Sequence, residues 1–239
     1  MVLLSSLNVL LILFPGFNTL DMNGPYEVLR KSGLSQNFNV TVASETDITT
    51  SIEGLHARRD IALNHALFQQ LPDYDMLVVP GGVAGPGSAV EAQAANITSP
   101  FMTLIKEFAG LAPSSTARPR VLLSICTGAM FLGTLGIFND RYCTTHWKAL
   151  TDLQKSVNDA AARTHGRPGT VVPARFVDSG NNTRGVRIIS SGGVSAGLDA
   201  SLYLVKSLYG EEEALDTAEM LDYVWRKTDG VVLDGMRYY

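Results

Sequence analysis

The 239-residue chain has little cysteine, little charge and no long apolar run, and each shortage removes a class of protein. Its two cysteines, Cys126 and Cys143, are too few for a disulfide framework and have no Cys/His spacing of the zinc-site kind. A reducing, cytoplasmic compartment is therefore expected. Charged residues make up only 18%, and 19 basic against 23 acidic side chains leave a formal net charge of -4. With no basic excess to neutralise phosphates or hold an anionic lipid surface, neither nucleic acid nor a membrane is an expected partner. No run of about 18 apolar residues occurs, so no transmembrane helix is expected. The apolar start, Leu7 to Phe14, lacks a basic leader, contains Asn8 and enters Pro15-Gly16 without a small-residue cleavage site. It is expected to be a buried strand and not a signal peptide. A phosphate loop is also missing, because after Gly82 and Gly87 the lysine and hydroxyl positions hold Ser88 and Ala89.

What remains is a core-rich globular chain with 46% hydrophobic residues. Aliphatic runs of strand length alternate with segments of helical length, the pattern of a mostly parallel sheet with helices on both faces. The strands are expected at Val9 to Phe14, Phe38 to Ala43, Met76 to Val79, Val121 to Ile125 and Val186 to Ser190. Helices are expected at Pro25 to Lys31, Pro100 to Ala109, Thr127 to Leu135, His146 to Asn158, Leu198 to Tyr209 and Glu211 to Trp225. Pro25 and Pro100 suit first-turn positions, and Ser99 suits a cap. Residues 114–120 read as an exposed connection and Asp178 to Asn182 as a hairpin turn. No solenoid period or low-complexity tract interrupts the pattern, so residues 1–239 are expected to form one domain.

Glycine-containing turns follow four of the strands, and in open α/β sheets ligands bind at the carboxyl ends of strands. There an aliphatic strand ends at Cys126 and small residues, Thr127-Gly128-Ala129, open a helix: the layout of a nucleophile elbow. A helix N-terminus lowers a thiol pKa, which makes Cys126 a candidate standing thiolate; the other reading is a small buried hydrophobe. Cys143, with no glycine elbow, reads as structural. Asp21, in an apolar, glycine-flanked stretch between the first strand and first helix, is a candidate buried acid/base or a plain helix cap. His146 is a candidate base or a capping residue. Gly81 and Gly82 in Pro80-Gly81-Gly82 let backbone N–H groups approach a ligand, as an oxyanion site requires.

Together the Pro80-Gly81-Gly82 turn, the Ser124-Ile125-Cys126-Thr127-Gly128 elbow and Thr144-Thr145-His146 resemble the ThiJ/PfpI superfamily of class I glutamine amidotransferase-like proteins. The likeness spans nearly the whole chain. Four ordered blocks, Leu20 to Val28, Cys126-Thr127-Gly128, Thr144 to Trp147 and Gly192 to Asp199, are most similar to its isocyanide hydratases. The resemblance implies a flavodoxin-like three-layer sandwich, with Cys126 as nucleophile, Asp21 as its acid/base partner and Thr127 at the site. It further implies oxyanion donors at Gly82 and the Thr127 N–H, no metal or organic cofactor, a small-molecule substrate and a homodimer. His146 and Trp147 join Gly81 and Gly82 as expected substrate-binding residues, with Phe17 and Met130 as apolar flanks. Rival activities are a cofactor-independent glyoxalase or deglycase acting on methylglyoxal, and a non-catalytic cysteine oxidation sensor. A transcription-regulator reading calls for a helix-turn-helix domain after the core, for which the residues up to Tyr239 are expected to be too few.

Overall fold

A computed structural model describes residues 6–113 and 120–233. The strands in chain order are β1 (Leu7–Ile12), β2 (Phe38–Ser44), β3 (Ile48–Thr50), β4 (His56–Arg58), β5 (Ile61–Ala62) and β6 (Met76–Val79). They continue with β7 (Val121–Ile125), β8 (Tyr142–Cys143), β9 (Thr170–Val171), β10 (Phe176–Asn181), β11 (Arg187–Ser191) and β12 (Val231–Val232). The helices are α1 (Thr19–Lys31), α2 (His65–Gln70), α3 (Ala89–Ala95), α4 (Pro100–Ala109), α5 (Ala129–Thr134), α6 (Leu150–Thr164), α7 (Ala196–Tyr209) and α8 (Glu211–Met220).

Eight strands form one sheet in the order β12-β10-β11-β7-β6-β1-β2-β5. Only the β10/β11 pairing is antiparallel; the other pairings of this sheet are parallel. Helices cover both faces, with α1, α7 and α8 packed together in one layer and α3 to α6 in contact in the other. The result is the flavodoxin-like three-layer sandwich expected. The central strands β1, β6 and β7 are aliphatic and buried on both sides, as parallel strands under two helical layers must be. Phe14, Phe101 and Phe131 meet edge to face with centroids 5.1–5.4 Å apart, tying the β1 exit to α4 and α5. No described helix is long and apolar enough to cross a membrane.

The structure moves several expected boundaries. β1 stops at Ile12, and Phe14 leaves the ladder for that aromatic cluster. α1 starts six residues before Pro25, because the Asn18 side chain caps it by accepting from the Leu20 and Asp21 N–H groups; Pro25 lies inside the helix. Asp178 to Asn181 extend β10, with a bulge that Gly180 supports at φ 67°, and the hairpin turn falls after them, closed by the Asn182 N–H on the Val186 carbonyl. Residues 114–119 lie outside the described residues, while Arg120 is buried, its guanidinium donating to the Tyr74 and Ala112 carbonyls. A short 3₁₀ turn, Trp147–Ala149, precedes α6, and α8 ends at Met220. The strands β3, β4, β5, β8, β9 and β12 are two or three residues long, too short to leave a periodic signal.

Candidate active site

Strand register brings the carboxyl ends of β1, β6, β7 and β11 to one edge. Val79 pairs with Ser124 and Ser191 with Ile125, so Pro80-Gly81 and Gly192-Gly193 emerge on either side of Cys126. Cys126 itself has φ 55°, a left-handed conformation uncommon for any residue but glycine. The bend is held by the buried Thr145 hydroxyl, which donates to the Cys126 carbonyl (2.9 Å), and by the Ala129 N–H. Gly193 packs onto the sulfur so closely that a Cβ there would stand 2.3 Å from Sγ and 2.8 Å from His146 Cδ2. Strand β7, this sharp turn and α5 follow one another along the chain.

Asp21 lies within α1 and not in the preceding loop. The helix buries positions 21, 24, 25, 28 and 29, a stripe at helical spacing, and Asp21 is its first member. Its carboxyl is fully buried. The Cys126 thiol and the Gly81 N–H lie beside it, close enough to lower its proton affinity, although neither makes a hydrogen bond of full geometry to it. Burial outweighs both, helped slightly by the negative charge of Glu53, and pushes the carboxyl from 3.8 up to about 7. Cys126 is shifted upward too, first by burial and then by the Asp21 charge, against a lowering influence of the Thr127 N–H. Burial and the Asp21 charge both work against the standing thiolate that the helix start suggests. The helix that follows is only a 3₁₀ turn and six residues, and its dipole does not offset the loss of water around the sulfur. Cys143, buried in the core, is likewise raised by burial, to about 12.

Thr127 and Gly82 form a reciprocal pair: the hydroxyl donates to the Gly82 carbonyl (2.6 Å) and accepts from the Gly82 N–H (2.8 Å). The Gly82 N–H is therefore engaged, whereas the Thr127 N–H faces the sulfur and the Gly81 N–H faces Asp21. Gly81 has no room for a side chain, since a Cβ would come within 2.6 Å of the Thr127 and Gly128 nitrogens. Thr127→Val keeps the shape and removes both bonds, so a loss of about 1–3 kcal/mol is expected in urea unfolding. An unchanged midpoint would show that the pair holds nothing.

A cleft of about 380 Å³ opens onto Cys126, lined among others by Asn18, Glu53, Gly82, His146 and Val194. His146 caps the 3₁₀ turn, its Nδ1 accepting from the Lys148 N–H (3.2 Å), and burial and Lys148 lower its proton affinity. It is both the capping residue and a wall of the cleft. Trp147, expected beside the substrate, is 68% exposed and stacks on His146, lining the neighbouring groove with Thr144 and Leu150. Phe17 is wholly core, bridged to Gly82, and Met130 faces a separate cavity between α3, α5 and α6. The larger apolar side chains that line the cleft are Ile52, Val83 and Val194, from loops without periodicity. Asn18 and Glu53 were not foreseen. The Asn18-Thr19-Leu20-Asp21 spacing carried a capping signal, but nothing marked Glu53, whose partners lie 34 and 35 residues away. Among the described residues no group of three or more His, Cys, Asp or Glu side chains converges as for a metal ion.

The family model described as "DJ-1/PfpI family" matches residues 7–206. An isonitrile hydratase of Pseudomonas putida is 30% identical over 216 residues, 90% of this chain and 76% of that protein. Among solved structures, a THiJ/PfpI family protein from Pseudomonas syringae superposes with TM-score 0.69 at 21% identity, over 92% of this chain and 76% of the other. Drosophila melanogaster DJ-1beta superposes with TM-score 0.68 at 21% identity, over 92% of this chain and all of the other.

Proposed function

The chain belongs to the DJ-1/PfpI family, and we propose that within it this protein is an isocyanide hydratase, adding water to R–N≡C to give an N-substituted formamide. The observation that carries this reading is the Asp21 carboxyl, fully buried beside the Cys126 thiol and with no hydrogen-bond partner of full geometry. An isocyanide carbon must gain both a nucleophile and a proton, and a thiol beside a carboxylate supplies both. Similarity to the Pseudomonas putida isonitrile hydratase supports the substrate class.

In the first step the Cys126 S–H bond breaks, its proton passes through Asp21 to the terminal carbon, and sulfur bonds to that carbon, giving the thioimidate R–N=CH–S–Cys126. Water then attacks the same carbon. Asp21 takes a proton from the water and delivers it to nitrogen, and the tetrahedral adduct collapses to R–NH–CHO as the sulfur leaves and recovers its proton. One proton shared between the sulfur and Asp21 is what this balance requires, since S–H adds as a whole across the carbon. The Thr127 N–H supports the sulfur, Gly81 and Gly82 shape the floor, and Ile52, Val83 and Val194 hold the R group. These steps call for no metal or organic cofactor.

One domain across residues 1–239 is consistent with a main sheet that draws strands from Leu7 to Val232. A homodimer is consistent with the exposed Ile52 and Leu55 on the β3–β4 turn and Leu20 at the start of α1. The two free cysteines support a cytoplasmic location. Purified protein given an aryl isocyanide and, separately, methylglyoxal tests the activity. Formamide without lactate is the expected product, and lactate without isocyanide turnover would select the glyoxalase instead.

A further inference from the structure

We propose that Glu53 is a positioning residue for the Asp21–Cys126 pair, holding the start of α1 in place and placing a fixed negative charge near the carboxyl. The proposal rests on the pairing of those two residues in the reading above, but not on the identity of the substrate. Glu53 sits on the turn between β3 and β4, which is fastened to the β1–α1 loop by the Ile52 N–H on the Phe17 carbonyl (2.9 Å) and the Gly16 N–H on the Thr50 carbonyl (2.9 Å). From there its two carboxylate oxygens take three hydrogen bonds from the first residues of the helix. Oε1 accepts from Asn18 Nδ2 (2.6 Å); Oε2 accepts from the Thr19 N–H (3.0 Å) and hydroxyl (2.6 Å). Asn18 in turn caps the Asp21 N–H (3.1 Å) and donates its own N–H to the Gly81 carbonyl (2.7 Å). One side chain thus links the ribbon turn, the helix cap and the glycine turn that flanks Asp21.

Every oxygen of Glu53 is satisfied, so burial, which would raise its proton affinity, is overcome by these donors and the carboxyl stays below its usual range. It remains a charge across the working pH range, lining the same cleft as Cys126. The other charged or titratable groups around the cleft are Cys126 on the elbow, His146 and Lys148 ahead of α6, and Asp152 in its first turn. On α7, which packs against α1, Asp199 is held by Arg175; on α8, Glu213 bonds Ser32 and Gly33 beyond the far end of α1. Glu53 is the charged side chain bonded directly to the cap of the Asp21 helix.

The test is a carbon-13 NMR titration of protein labelled at the aspartate carboxyl carbons, with Asp21→Asn assigning the Asp21 signal. Glu53→Gln keeps the size and removes the charge, and the Asp21 midpoint should fall by a few tenths of a pH unit. A merely structural Glu53 would lower the melting temperature and leave that midpoint where it was, which would overturn the proposal. A wild-type midpoint near the ordinary aspartate value would defeat the pairing itself, whereas a raised midpoint indifferent to Glu53→Gln would defeat only the role given to Glu53.

Discussion

Cys126→Ala is expected to abolish formamide production from an aryl or alkyl isocyanide, by about 10⁴-fold or more. The reason is chemical and local: without the sulfur no covalent intermediate forms, and the cleft offers water only a poorly electrophilic carbon. Folding should survive, because alanine at 126 removes only the sulfur and leaves the carbonyl bond to Thr145 untouched. Cys126→Ser is expected to be equally inactive, since a buried hydroxyl is a far weaker acid and nucleophile than a thiol. Retention of a substantial rate in either variant, measured as formamide by chromatography, would remove Cys126 from the reaction.

Asp21→Asn should separate activity from stability, moving them in opposite directions. The amide cannot carry a proton between sulfur, water and substrate, so a fall of about 10²- to 10⁴-fold in kcat/KM is expected. In the native enzyme the acid limb of the rate profile should lie near pH 7, because protonating Asp21 leaves a pair with two protons and no acceptor. That limb should vanish in the variant. Stability follows from the same shift. The folded carboxyl, raised to about 7, holds a proton that the unfolded chain releases near 3.8, so native stability falls as pH rises through that window. Above it the buried charge costs up to about 4 kcal/mol. Asparagine carries no such charge, so the variant should melt higher than wild type at pH 8, with the advantage shrinking toward pH 4. A variant that melts lower at pH 8, or turns over at the native rate, would contradict this.

Both expectations depend on features that differ in how plainly the chain displays them. Cys126 was visible, because an aliphatic strand followed by Thr-Gly-Ala is a local pattern. Its ionisation was not legible, for a physical reason: a helix start is local, but burial, and a carboxyl arriving from 105 positions earlier, are consequences of packing. The depth of Asp21 was half visible. Its place in the stripe with Gly24, Pro25, Val28 and Leu29 follows helical spacing, but Pro25 suggested a later helix start and so masked it. Trp147 was expected beside the substrate through the block it shares with His146, yet it is 68% exposed and lines the neighbouring groove. Glu53 had no local signature, as its meaning lies wholly in contacts between a two-strand ribbon and a helix cap. In the sheet, by contrast, β1, β2, β6, β7 and β11 were readable, since fully buried strands must be aliphatic and their ends must turn, whereas the polar end of β10 read as a turn.

The most direct test of the shared-proton mechanism is intact-mass analysis of Asp21→Asn protein mixed with an aryl isocyanide. Without Asp21, sulfur addition can still draw its proton from solvent, slowly, while hydrolysis lacks its base, so a species heavier by the whole mass of the isocyanide is predicted, mapped to the peptide containing Cys126. Formamide accumulating while the protein mass stays unchanged, and persisting in Cys126→Ala, would contradict it.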